Sequence, residues 1–165
     1  MKNTTHKIVL SSMFAALTCV ATIIIKIPSP LKGYINLGDC IVLLSAFLLP
    51  PGYAFLSAGI GSAIADILSG YAEYAPATFV VKGVMVLVAY FVYKLLSKKM
   101  RPMGARIIGG GLAEIIMILG YFVFEGFLYG FVPSLVNIPA NAVQGIAGLV
   151  IGMLLFKLFD KIKNQ

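Results

Sequence analysis

The sequence has few charged residues, which make up 12% of its 165 positions, whereas hydrophobic residues make up 60%. A soluble domain carries about 25% charged and 45–50% apolar residues. A soluble chain of this length cannot bury so much apolar surface, so the composition excludes that class and predicts an integral membrane protein. The long apolar runs lack the ten-residue alternating segments of a membrane β-barrel, so an all-α fold is expected.

Residues that commonly carry catalysis or bind metals are scarce. Tryptophan is absent, His6 is the only histidine, and Cys19 and Cys40 are the only cysteines. No spacing of these residues suggests a metal site, no phosphate-binding P-loop motif is present, and no serine or cysteine has a base near it in sequence. The chain is therefore not expected to be an enzyme, to hold a metal or a cofactor, or to bind nucleic acid.

Six apolar runs predict six transmembrane helices in one compact bundle that forms a single membrane domain over residues 1–165. The runs cover residues 8–25, 37–49, 53–69, 76–96, 107–124 and 134–159. The second run is short, since a straight crossing needs about 20 residues. Either Ile35 to Leu37 extend it, or it passes through a region that other helices shield.

The cations divide unequally between the two ends of such a bundle. Ten of the 13 lysines and arginines fall on the side of the termini, and two fall on the opposite side. By the positive-inside rule, both termini are expected to be cytoplasmic. The ten are Lys2, Lys7, Lys94, Lys98, Lys99, Arg101, Arg106, Lys157, Lys161 and Lys163; the two are Lys26 and Lys32, and Lys82 lies inside a span.

Polar residues gather in the outer half of the predicted bundle. A polar side chain in hydrocarbon is unfavourable, so these residues are expected to have a structural or functional role. Asp66, Glu125 and Tyr129 belong to this wider set. The residues expected to bind a substrate are Asn36, Asp39, Tyr71, Glu73, Tyr74, Lys82, Asn137, Asn141 and Gln144.

Several of these residues also have a purely structural interpretation. A lysine inside a span must find a partner, so Lys82 either contacts a ligand or forms a salt bridge to Asp66 or Glu114. Tyr71 and Tyr74 either stack on a flat heterocycle or belong to an interfacial aromatic belt.

Two other patterns each allow a structural and a functional interpretation. The row Asn137, Asn141 and Gln144 has i, i+4, i+7 spacing, which suits either a ligand or hydrogen bonds between helices. Small residues in the first span pair Ser11 with Ala15 and Ser12 with Ala16. They form either an internal packing face or a face that docks a partner's helix.

Four segments carry a resemblance to a known family: YINLGD at 34–39, GSAIADILSGY at 61–71, YAPATFVVKG at 74–83 and PANAVQ at 139–144. Together they resemble the substrate-binding S components of energy-coupling factor (ECF) transporters. Within these, the chain looks most like the riboflavin-type subfamily, which includes suspected hydroxymethylpyrimidine and pyridoxine importers.

The resemblance implies a six-helix subunit of the bacterial cytoplasmic membrane that captures a vitamin outside the cell. It implies partners as well: a transmembrane scaffold subunit and two ATPases that use ATP. In this family an Ala-x-x-x-Ala face on the first helix docks the scaffold. The matching residues here are Ser12, Ala15 and Ala16, with serine in place of the first alanine.

The few cations in the outer half of the predicted bundle bear on the choice of ligand. Large anionic ligands such as folates would need more cations than Lys32 and Lys82 supply, so a hydroxymethylpyrimidine-like or pyridoxine-like heterocycle is preferred, with riboflavin next. The alternative is a membrane-embedded enzyme or assembly factor that uses Asp66 and Lys82 as an acid–base pair. A self-sufficient transporter has no visible inverted repeat to support it.

Overall fold

The computed structural model describes residues 3–163 and the side chains of residues 3–161, so Lys2 and the side chain of Lys163 lie outside it. The apolar runs form helices, as expected. In chain order the elements are α1 (Thr4–Ile24), β1 (Ile27–Pro28), β2 (Tyr34–Ile35), α2 (Gly38–Leu48), α3 (Pro51–Leu68), α4 (Ala75–Leu96), α5 (Pro102–Tyr129), α6 (Phe131–Ser134), a 3₁₀ turn (Leu135–Asn137) and α7 (Ile138–Lys163).

Six of these helices form the bundle. Within the described residues, α1, α3, α4, α5 and the segment from α6 through α7 are long and apolar enough to cross a membrane. The sixth, α2, has 11 residues and is therefore only about 16 Å long. It packs against α1, α3, α4 and α7, and Val42, Leu43 and Ala46 on it are fully buried. The short helix thus runs through a region that other helices shield.

Small residues allow the helices around α2 to approach closely. A Cβ atom added at Gly61 would lie 2.3 Å from the carbonyl oxygen of Ala15, and one added at Gly83 would lie 2.4 Å from the ring of Phe55. These contacts join α1 to α3 and α3 to α4. Large apolar side chains such as Ile24 and Leu68 point outward, as expected for a surface that faces lipid.

One end of the bundle carries the short antiparallel hairpin of β1 and β2, in which Ile27 pairs with Ile35. We call it the hairpin end. Gly33, with φ of 95°, supplies the turn, because this backbone region strongly favours glycine. The link at 69–74 and the segment at 130–137 lie at the same end, and the backbone N–H of Leu31 donates to Asn137 Oδ1 at 3.2 Å.

The fifth helix extends beyond its expected bounds. The polar residues after Phe124 predicted a loop, but α5 continues to Tyr129 and ends at Gly130, whose φ is 95°. Glu125 is therefore a helical residue, and it is buried. The helix tolerates it because Asn137 and Tyr74 donate hydrogen bonds to its carboxylate.

Candidate functional site

A polar cavity lies at the hairpin end, between the hairpin, the end of α3, the start of α4, and α5 and α7. Its volume is about 30 Å³ in this structure. Its walls are polar and aromatic throughout. The lining residues are Ser29, Lys32, Gly33, Tyr34, Asn36, Asp66, Tyr71, Tyr74, Thr78, Tyr121, Glu125, Asn141 and Gln144.

The structure places the nine residues expected to bind a substrate in three groups. Five of them line the cavity: Asn36, Tyr71, Tyr74, Asn141 and Gln144. Three are buried and bonded to other residues at this end, but do not line the cavity: Asp39, Lys82 and Asn137. Glu73 is exposed and lies on an outer groove beside Tyr71, away from the cavity.

A chain of hydrogen bonds runs from the cavity wall into the bundle. The backbone N–H of Asn36 donates to Gln144 Oε1 at 2.9 Å, and Gln144 Nε2 donates to Asp39 Oδ2 at 2.7 Å. Asp39 Oδ1 in turn pairs with Lys82 Nζ. Every member is buried, so the chain fixes the orientation of the Gln144 amide, a lining group.

The partner of Lys82 is Asp39, which corrects the expected salt bridge to Asp66 or Glu114. Asp39 lies in the first turn of α2, and α2 packs directly against α4. Lys82 Nζ lies 5.5 Å from the ring centroid of Tyr121, a residue that lines the cavity. Lys82 thus lies next to a lining residue without lining the cavity itself.

The acid–base pair of the enzyme alternative is not formed. Asp66 Oδ1 instead accepts a hydrogen bond from the Tyr34 hydroxyl at 2.7 Å. Burial and the neighbouring Asp66 raise the pKa of Tyr34, so this hydroxyl keeps its proton at neutral pH and acts as a donor. With Lys82 engaged by Asp39, the two groups have separate partners.

A second set of bonds ties the hairpin to α5 and the turn before α7. Asn137 Nδ2 donates to Glu125 Oε1 at 2.9 Å and to the Lys32 carbonyl oxygen at 3.1 Å. The Tyr74 hydroxyl shares its single proton between the same two acceptors, Glu125 Oε1 at 3.4 Å and the Lys32 carbonyl oxygen at 3.3 Å. Asn137 therefore supports the cavity wall through Glu125 and holds the tip of the hairpin in place.

Three tyrosines form an aromatic wall. The ring centroids of Tyr34 and Tyr71 are 5.1 Å apart, and those of Tyr71 and Tyr74 are 6.2 Å apart and nearly perpendicular. Tyr71 is only half-buried. Tyr34 is half-buried as well, whereas Tyr74 is buried, so the rings of Tyr71 and Tyr34 are the ones open to an approaching flat molecule.

Eight lining residues were not in the expected binding set: Ser29, Lys32, Gly33, Tyr34, Asp66, Thr78, Tyr121 and Glu125. Two signals point to some of them in retrospect. Thr78 lies one turn after Tyr74, and Tyr121 lies one turn before Glu125, so each pair shares a helix face. The Thr78 and Tyr121 hydroxyl oxygens are 3.1 Å apart, which joins those two faces.

A second surface lies on the side of the bundle, in a groove of about 510 Å³ between α1 and α3. Ser12, Ala15 and Ala16 line it together with large apolar residues of α3, among them Leu56 and Ile60. Ser12 and Ala16 are exposed, whereas Ala15 is half-buried. Ala15 therefore contributes to helix packing, while the other two present a small-residue surface.

The fold is that of ECF S components. A solved structure of the S component of a bacterial ECF transporter superposes with a TM-score of 0.80 at 24% identity, covering 99% of this chain and all of that one. The solved S component for biotin from an ECF-type ABC transporter superposes with a TM-score of 0.62 at 20% identity and covers 95% of both chains.

The family follows from the sequence comparison. The family model described as ECF-type riboflavin transporter, S component, matches residues 2–161, and the chain belongs to this family. It is thus a membrane-embedded transport subunit and not an enzyme.

Two relatives cover most of the chain. A Pyrococcus woesei protein, described only as an uncharacterized protein in the gap 3′ region, is 36% identical over 81% of this chain and 87% of its own length. The thiamine precursor transporter HmpT of Lactococcus lactis subsp. cremoris is 24% identical over 94% of this chain and 88% of its own length.

Proposed function

We propose that this subunit captures a small heterocyclic vitamin or vitamin precursor in the cavity at the hairpin end. In this proposal the hairpin end faces outward from a bacterial cytoplasmic membrane, both termini are cytoplasmic, and the whole chain acts as one membrane domain. The ten-to-two division of cations in the sequence supports this orientation.

The observation that carries the proposal is a polar, aromatic cavity in an otherwise apolar bundle. Fixed amides of Asn36 and Gln144, two carboxylates and several tyrosines converge there. Small-molecule sites combine aromatic walls with a few placed polar groups. Hydrogen bonds between helices alone would not require so many polar side chains to line one shared cavity, because each of them is costly within the bundle.

The preferred ligands are hydroxymethylpyrimidine and pyridoxine-like molecules, followed by riboflavin. The cavity is small, about 30 Å³, and this favours a single-ring ligand over the larger riboflavin. The name of the Lactococcus relative, a thiamine precursor transporter, supports the same choice. The family description supports riboflavin as the second candidate.

Delivery requires an energy module in this proposal. A transmembrane scaffold subunit docks on Ser12, Ala15 and Ala16, and two ATPases consume ATP, while this chain holds no cofactor of its own. The open groove between α1 and α3 supports such a docking surface, since large apolar residues and small residues line it together.

A binding titration on the purified chain tests the proposal. Hydroxymethylpyrimidine, pyridoxine, riboflavin, thiamine and biotin are titrated separately in detergent. We expect one of the first two to bind with one-to-one stoichiometry, and Gln144→Ala to abolish this binding. Asp160→Asn, at the opposite end of the bundle, is the matched control and should bind as the wild type does. Absence of binding by every compound would contradict vitamin capture.

A further inference from the structure

The cavity wall contains two carboxylates that each have one unused oxygen. Asp66 is 6% exposed and Glu125 is 3% exposed. Oδ1 of Asp66 and Oε1 of Glu125 accept the hydrogen bonds described above. Oδ2 of Asp66 and Oε2 of Glu125 are buried and have no hydrogen-bond partner among the described residues.

No ammonium group balances these carboxylates inside the cavity. Lys82 does not line the cavity and is paired with Asp39. Lys32 lines the cavity, but its side chain is exposed and its Nζ lies 6.0 Å from the ring centroid of Tyr129. Within residues 3–161, the buried part of the lining therefore combines two acidic side chains with no basic one.

A buried acceptor without a donor is destabilising, and a hydrogen bond to a charged group stabilises more than one between neutral groups. A ligand that brings N–H or O–H groups to both oxygens removes this destabilisation. A ligand that brings a carboxylate or a phosphate adds repulsion instead. The free oxygens therefore discriminate between ligands by the chemistry of their polar groups.

Resting on the vitamin-capture function proposed above, we propose that Asp66 and Glu125 determine specificity. They select an unphosphorylated aromatic heterocycle that presents at least two N–H or O–H donors, such as an amino-substituted, hydroxymethylated pyrimidine or a protonated pyridine. One donor binds Asp66 Oδ2, the other binds Glu125 Oε2, and the ring lies against Tyr71.

The first test uses the wild-type chain and matched ligands. The aminopyrimidine alcohol, its phosphate ester and an analogue with methyl in place of the amino group are titrated in detergent. We expect the phosphate ester and the methyl analogue each to bind about tenfold or more weakly than the parent. Equal or tighter binding of the phosphate ester would overturn the proposal.

The second test changes the protein. Asp66→Asn and Glu125→Gln each leave an oxygen for the existing protein donors and place an amide N–H₂ where the free oxygen lies. We expect each substitution to weaken binding of the parent ligand at least tenfold. The methyl analogue lacks the amino donor, so the substitution at the carboxylate that accepts from the amino group should leave its binding nearly unchanged. Asp160→Asn is the control, and elution as a single detergent-solubilised species confirms folding.

The failures of the two proposals give different results. If riboflavin or an anionic vitamin binds tightly and neither substitution weakens it, the specificity proposal is overturned and vitamin capture stands. If no vitamin in the full panel binds the wild type, both proposals are overturned. Selective loss of the donor-rich ligand in the two variants supports both.

Discussion

Replacing Lys82 with methionine tests whether its main role is to neutralise Asp39 or to contact a ligand. The side chains of Lys82 and Asp39 are 3% and 0% exposed, and both lie within the helical bundle. Methionine preserves most of the volume of lysine and removes the charge. Among the residues that the structure describes, Asp39 then keeps only the hydrogen bond from Gln144.

Breaking a buried ion pair by removing one partner destabilises a protein by about 3–5 kcal/mol, because the remaining charge is uncompensated. For a chain of this size we expect the midpoint of thermal unfolding to fall by roughly 10 °C. The double variant with Asp39→Asn should recover most of this loss, since it removes the uncompensated charge. The recovery measures the coupling between the two residues.

The assay can use the chain's own thiols, because the sequence has no tryptophan. Cys40 is 5% exposed and adjoins Asp39, so a thiol-reactive dye in detergent reports when α2 becomes accessible. Lys94→Met, at an exposed position on the same helix, is the matched control. If Lys82→Met melts like this control and loses ligand binding, Lys82 serves the ligand and the reasoning is refuted.

Three further substitutions test the packing around Asp39, the aromatic wall and the groove between α1 and α3. Gly148→Ala should weaken binding and destabilise the protein by about 1–3 kcal/mol, because the added Cβ would lie 2.7 Å from Asp39 Cβ. Gly111→Ala is the control in the same melting and binding assays, because the space around Gly111 is open. Tyr71→Ala should weaken ligand binding about tenfold while Tyr71→Phe leaves it nearly unchanged, and equal losses would exclude ring stacking. Ala16→Trp should leave binding intact and abolish uptake in cells with the energy module, whereas loss of binding would show that the groove is internal packing.

The six helices could be predicted from the sequence because lipid-facing spans must be long and apolar. Run four at 76–96 agrees closely with α4 at Ala75–Leu96. The end of α5 could not be placed, because Glu125 resembles a loop residue until its partners on other segments are known. Those partners are 51 and 12 residues away in sequence.

Only part of the candidate site could be predicted, because spacing along one helix is visible in the sequence and contacts between helices are not. Local spacing brought Asn141 and Gln144 together, and both line the cavity. Asn137 occupies the 3₁₀ turn before α7 begins, so the turn interrupts its helical spacing with Asn141 and Gln144. It nevertheless lies at the same hairpin end of the bundle. The partner of Lys82 depends on how α2 packs against α4, which no local pattern in the sequence records.

The polar residues of the stretch at 63–83 have different roles. Lys82 neutralises Asp39 in the bundle, while Asp66, which belonged to the wider polar set but not to the residues expected to bind a substrate, lines the cavity beside Tyr71. The exposed Glu73 is therefore expected to tolerate replacement by glutamine with no change in binding.

Native mass spectrometry of the full chain, purified in mild detergent from cells grown with the vitamin panel, shows directly whether the cavity holds a vitamin. We predict a one-to-one complex whose added mass is that of an unphosphorylated aminopyrimidine or pyridine vitamin, and whose abundance falls in Glu125→Gln. Retention of riboflavin alone would contradict the ligand assignment, and a chain that retains none of the vitamins offered would contradict the assignment of this cavity as a vitamin site.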